Sequence, residues 1–140
     1  MKILIKKLEA GAKIPQYAIA GDAGMDLFSL EDLELRSMEK AVCRTGIAMQ
    51  IPAGYAGLIW DKSGIAIKSG IKILGGVIDS GYRGEVKIGL INLSQEIYKI
   101  NKGDKIAQML IQKVESPEVI ETSGLDETER GNGGFGSTGI

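Results

Sequence analysis

The 140-residue chain reads as a single all-β domain, a sandwich or barrel. Its twenty isoleucines against seven aromatic residues supply β-branched aliphatics, which favour strands. Short runs alternate with period 2, and turn-forming clusters punctuate them at roughly the 8–12-residue spacing of sandwiches and barrels. No stretch holds the helical period for about 12 residues or more, which removes βαβ folds.

The elements follow in order. Lys2 to Lys6 alternates as a first strand. Ile51-Pro52-Ala53-Gly54 is a turn, and the only helical piece is short, around Ser63 to Lys68. From Gly75 to Val86 the chain reads as a hairpin: an apolar strand, a turn at Asp79 to Gly81, and a second strand from Arg83. Glu85 to Ile91 alternates again. Asn101-Lys102-Gly103-Asp104 turns the chain into Lys105 to Lys113, where Ala107, Met109 and Ile111 alternate with Ile106, Gln108 and Leu110. After Val119 little can bury itself, so the sequence divides into a β domain, 1–120, and a mobile arm, 121–140. Arg130 and Phe135 stand out in that arm, because a solvating tail needs neither a guanidinium nor a ring. A flap closing over an anionic, aromatic ligand needs both.

Composition limits the chemistry. A net charge of −1 from 17 basic and 18 acidic residues argues against a sequence-independent nucleic-acid binder. There is no histidine, hence no His general base and no His-ligated metal, and the single cysteine, Cys43, precludes an intrachain disulfide or a thiolate metal cluster. No signal peptide or membrane span is visible, and a reducing cytoplasm is the expected setting. Catalysis must therefore run on carboxylates, hydroxyls, cations and backbone amides. The twenty glycines are about twice average usage, so their placement carries information.

Five segments hold candidate groups. Ala23-Gly24-Met25-Asp26-Leu27 sets a carboxylate in a glycine-flanked stretch, as a turn former or a site acid. Asp61-Lys62-Ser63-Gly64 brings a cation, a hydroxyl and free amides to a helix start, which suits either an anion or an ordinary Ser N-cap. Gly75 to Val86 is the densest, with Asp79 at the turn and Tyr82 beyond it; Gly75 and Gly76 signal close approach by a ligand or another backbone. Gln108 lies amid apolar neighbours, on a wet face or aimed into a site. Gly131-Asn132-Gly133-Gly134-Phe135-Gly136 formally matches GxGxxG, but too few residues follow for a dinucleotide-binding helix. What the tract retains is a run of amides, with the Ser137 and Thr138 hydroxyls, able to wrap phosphate oxygens.

In this order and spacing the five segments resemble the five motifs of the trimeric dUTP diphosphatases (dUTPases). GVIDSGYRGEV and RGNGGFGSTG are the most specific, and the resemblance runs from Ala23 to Gly139. It implies a jelly-roll-like (β-clip) barrel subunit in a threefold homotrimer. The active sites would lie between subunits: motifs one, two and four from one chain, the third from a second, and the arm from the third. It implies hydrolysis of dUTP to dUMP and pyrophosphate with Mg²⁺ on the triphosphate, keeping uracil out of DNA and supplying dUMP for dTMP synthesis.

Carried onto matching positions, Asp79 resembles the carboxylate that orients and deprotonates the attacking water. Tyr82 resembles the ring beneath the deoxyribose that leaves no room for a 2′-hydroxyl. Uracil would be read by backbone of the strand Leu74 to Ile78, including Gly76 and Val77, with Lys87 also in the substrate set. Lys62, Ser63 and Gly64 would bind phosphates, Ser63 at the α–β bridge, and Gln108 would stand near the phosphates or the water. Asp26 would reach Mg²⁺ through water. Arg130 would clamp the γ-phosphate, Phe135 stack on uracil, and Gly136, Ser137 and Thr138 complete the phosphate wrap.

Three positions depart from the pattern. Lys62 stands where Arg is usual, a point charge in place of a planar fork. Ile73 replaces an Asn carried by some members, and Gly81 replaces a common acid. Two rivals remain. The dCTP deaminases share the third motif but carry a catalytic Glu ten residues after the Asp, where this chain has Gly89. A non-catalytic nucleotide binder would not need the full set of catalytic residue types retained here.

Overall fold

The computed structural model describes residues 1–134. Eleven strands and one helix run in the order β1 (Leu4–Lys7), β2 (Met25–Phe28), β3 (Leu33–Leu35), β4 (Lys40–Arg44), β5 (Ile47–Gln50), β6 (Tyr55–Trp60), α1 (Ser63–Ser69), β7 (Ile71–Leu74), β8 (Val77–Ile78), β9 (Lys87–Asn92), β10 (Tyr98–Ile100) and β11 (Lys105–Lys113). Every pairing is antiparallel. One sheet has the order β2-β11-β6-β8 and another β4-β9-β7, with the ladders β1-β5 and β3-β10 completing a jelly-roll-like arrangement.

Between the two larger sheets lies an aliphatic core. Leu27 and Met109 from one and Ile88 and Leu90 from the other are fully enclosed. On β11, Ala107 and Met109 are buried as the alternation predicts. Ile106 is buried as well, because the β2–β11 register shifts between Lys105 and Ala107 and turns it inward. Cys43 is also enclosed, and burial pushes its thiol pKa up.

The short helix forms one residue longer than expected, and its cap differs. Lys62, extended at φ −86° and ψ 120°, holds the N-cap position with no side-chain cap bond, so Ser63 is already helical. Gly70 stops the helix in the left-handed conformation at φ 67°.

The hairpin reading of Gly75 to Val86 is corrected. Leu74 to Ile78 is not one strand: β7 ends at Leu74, Gly75 and Gly76 take φ of 73° and 127°, and β8 begins at Val77. The next strand starts at Lys87 rather than Arg83, and it joins β4 and β7, never β8. β8 pairs with β6 instead, Gly57 opposite Ile78 and Leu58 opposite Val77. The two glycines let the chain step from one sheet to the other, where period-2 alternation foresaw a simple return. After β11 no helix or strand is present in residues 114–134, and no described helix is long and apolar enough to cross a membrane.

Candidate active site

Two polar clusters contain most of the candidate residues among those described. The first is built on β2, β11 and the turn into α1. Asp26 is 3% exposed because all four residues of β2 are buried, and it sits opposite Gln108 in the β2–β11 register. Lys62 donates to its Oδ1, and Lys105 Nζ lies 2.7 Å from Oδ2. Burial raises the carboxyl pKa, but the ammonium groups of Lys105 and Lys62 outweigh it and hold Asp26 below its ordinary 3.8. Lys62 is thus engaged with Asp26 rather than standing free.

Gln108 donates from Nε2 to the Asp61 carbonyl at 2.8 Å, and its Oε1 occupies the space a Cβ at Gly24 would need, 2.5 Å away. Asp61 in turn accepts the Ile73 amide at 2.7 Å and pairs with Lys72, so the residue before Lys62 is tied to both β11 and β7. Lys62, Ser63 and Gly64 are therefore presented on a fixed corner. Ser63 and Gly64 are exposed, and no atom lies within 4 Å of a Cβ placed at Gly64.

The second cluster lies at the end of β8. Val77, Ile78, Asp79, Tyr82, Glu85 and Lys87 line an open cleft of about 240 Å³. The Tyr82 amide closes a turn onto the Asp79 carbonyl at 3.1 Å, and Arg83 donates from Nη1 to the Ser80 and Tyr82 carbonyls at 2.6 and 2.8 Å. Asp79 is exposed at the mouth. β8 is the edge of its sheet, so its outer backbone has no partner strand among the described residues. Gly76 faces another backbone: a Cβ there would lie 2.7 Å from the Ile59 carbonyl oxygen. Gly75 faces open space.

These clusters do not meet within one chain. Asp26, Gln108 and Trp60 form one row across β2, β11 and β6, while Ile78 pairs three residues further along β6, at Gly57. Strand geometry puts Asp26 and Ile78 roughly 14 Å apart across the sheet and roughly 10 Å apart along it.

A resident magnesium site would need several oxygen ligands, and among the described residues no group of three His, Cys, Asp or Glu could hold one. Asp26 offers a single buried carboxylate already paired with Lys62 and Lys105, so it would supply at most one contact, through water, to an ion arriving on a polyphosphate. Arg130 is exposed, donating from Nε to the Gly133 carbonyl at 2.9 Å. Phe135, Gly136, Ser137 and Thr138 lie outside the described residues.

Lys105, Asp61, Glu85 and Arg44 were not foreseen. Lys105 meets Asp26 only through the bulged β2–β11 register, and Arg44 reaches Glu85 across 41 residues of sequence. Neither approach leaves a local signal.

The dUTPase family model matches residues 10–139. The chain belongs to the dUTPase family. It is 48% identical over 141 residues to the deoxyuridine 5′-triphosphate nucleotidohydrolase of Clostridium kluyveri, covering 99% of each, and 49% identical over 142 residues to that of Clostridium novyi, covering 100% of each. Among solved structures, the dUTPase of Staphylococcus bacteriophage 80alpha with dUPNHPP superposes with a TM-score of 0.92 at 33% identity, over 99% of both chains. A mutant dUTPase from phage phi11 of S. aureus, described as coordinating a structural Mg(II) ion, gives 0.85 at 30% identity, covering 91% of this chain and 100% of that one. The family expected from the five motifs is the family found, and the jelly-roll-like fold of this dUTPase agrees with it.

Proposed function

We propose that this dUTPase hydrolyses dUTP to dUMP and pyrophosphate by in-line attack of water at the α-phosphate, with Asp79 holding the water. Asp79 stands exposed at the mouth of the cleft that Tyr82 and the open edge of β8 share, and this observation carries the reading. The free edge of Val77 and Ile78 suits a base read by backbone donors and acceptors, and the Tyr82 ring suits the sugar above it. A proton passes from water to Asp79 as oxygen bonds to the α-phosphorus, and the bond to the bridging oxygen breaks to release pyrophosphate.

The phosphate side is served by the first cluster. Ser63 and Gly64 offer a hydroxyl and unobstructed amides where leaving-group charge develops, and Gln108 fixes the corner that presents them. Lys62 turns from Asp26 to the phosphates, with Lys105 left to neutralise Asp26. When bound on the triphosphate, Mg²⁺ would neutralise phosphate charge, with Asp26 as the acid that touches its hydration shell. Arg130 and the residues after it close over the triphosphate and base.

The separation of Asp26 and Ile78 in one chain favours a substrate served by Asp79 of one copy and Lys62 of another. That supports the threefold homotrimer with sites between subunits. On this reading the enzyme would draw on a cytoplasmic nucleotide pool, and neither nucleic acid nor membrane would take part in the reaction. The deaminase alternative meets a physical obstacle at Gly89, where a Cβ would lie 2.8 Å from the Leu74 carbonyl oxygen, so no acid fits without shifting the strand.

The test is pyrophosphate release from a panel of dUTP, UTP, dTTP and dCTP with and without Mg²⁺, on wild type and Asp79→Asn. Mg²⁺-dependent release from dUTP alone, lost in Asp79→Asn while nucleotide still binds, is expected. Turnover persisting in Asp79→Asn would remove Asp79 from its role.

A further inference from the structure

We propose that Arg44 and Glu85 are positioning residues for the Tyr82 ring and so set how strongly the site prefers deoxyribose to ribose. The inference rests on the reading of Tyr82 as the floor beneath the sugar.

The Tyr82 hydroxyl donates to the Glu85 carbonyl at 3.0 Å, folding the ring back over its own chain. It comes so close that a Cβ at Gly84 would lie 2.4 Å from the hydroxyl oxygen and 2.6 Å from ring Cζ. The ring pose is thus held through the Glu85 backbone. That backbone belongs to residues 82–86, which have no strand pairing of their own.

Val86 is tied at its carbonyl by the Thr45 hydroxyl, and nearer the ring the segment is anchored by the Glu85 side chain, only 12% exposed. Its Oε1 accepts the Gly46 amide at 2.9 Å, and Arg44 Nε lies 3.2 and 3.1 Å from its two oxygens. Arg44 ends β4 and is held from its other side by Glu9, while the Val86 amide bonds the Ile47 carbonyl at 2.8 Å. The β4–β5 corner therefore grips Glu85 by charge-assisted bonds, and Glu85 grips the tyrosine. Arg44 is also paired in register with Lys87, which lines the same cleft.

Excluding a hydroxyl where a hydrogen fits requires a surface that cannot yield, since a displacement of about 1 Å admits the extra atom. Cutting Arg44 from Glu85 lets the segment, and the ring with it, relax. The preference for dUTP over UTP should fall, while Asp79 and the phosphate groups are left in place.

The experiment measures kcat/KM for dUTP and for UTP on wild type, Arg44→Met, Arg44→Lys, Glu85→Gln and Tyr82→Ala. The ratio of two substrates on one preparation does not depend on how much of it is folded, so a merely structural role would lower the melting temperature and leave the ratio alone. Arg44→Met and Glu85→Gln are expected to lower the dUTP/UTP ratio about tenfold, the effect of losing one orienting charge-assisted contact, chiefly through a lower KM for UTP. Arg44→Lys should give an intermediate ratio, because it keeps the charge but not the contact of one N–H with both oxygens. If Tyr82→Ala lowers the ratio but Arg44→Met and Glu85→Gln do not, the positioning role is overturned and the tyrosine reading survives. If Tyr82→Ala leaves the ratio unchanged, both are overturned.

Discussion

Lys62 donates to the buried Oδ1 of Asp26, so the cation proposed to meet phosphate is held by an acid of the same chain. Lys105 stands on the other oxygen. The carboxylate is enclosed, yet the two ammonium groups keep it ionised below its ordinary range.

That arrangement has a pH signature. The folded-state pKa of Asp26 lies below the unfolded 3.8, so its stabilising contribution is fully present above about 3.8 and is lost as pH falls through the native value. Urea midpoints of wild type and Asp26→Asn should differ by a constant amount from about pH 5 to 7 and converge in stronger acid. A gap that widened on acidification would contradict the pairing.

Gly76 should tolerate no side chain. Its φ is 127°, and a Cβ would press on the Ile59 carbonyl at 2.7 Å, beside the bond from the Ile59 amide to the Gly76 carbonyl. Gly76→Ala should cost roughly 2 kcal/mol or more in chemical denaturation. Gly75→Ala meets only the left-handed φ and open space, so its cost should be smaller. Equal costs would mean that the close approach to β6 is not what constrains Gly76.

The arm gives a prediction of the opposite kind. Residues 121–134 are almost entirely exposed, and their described hydrogen bonds are local, as between Thr122 and Gly124 and between Arg130 and Gly133. Deleting 131–140 should leave the melting temperature unchanged and cut dUTP turnover severely. Full turnover in the truncated enzyme would remove the arm from the site.

Strand content and the short helix could be read from residue order, because alternation and turn chemistry are local. The path around Gly75 and Gly76 could not, since whether Ile78 returns to β7 or crosses to β6 depends on partners far away in sequence. The glycines show the same boundary. Doubled usage pointed to close approach, but Gly24 makes room for Gln108, Gly84 for Tyr82 and Gly76 for Ile59, whereas Gly64 and Gly75 face open space. Asp79, Tyr82 and Lys87 line one cleft, and Asp26 pairs with Lys62 and lies opposite Gln108 in the sheet. The lysine that completes the charge on Asp26, Lys105, becomes visible only in the folded register.

The most direct test of a site divided between copies is complementation. Asp79→Asn and Lys62→Met should each be severely impaired alone. Unfolded together in equal amounts and reassembled, they should regain dUTP hydrolysis at about a quarter of the wild-type number of sites, because random assembly gives that fraction both an intact Asp79 and an intact Lys62. A mixture no more active than its components, despite verified subunit exchange, would place both residues in a single-chain site and contradict this arrangement.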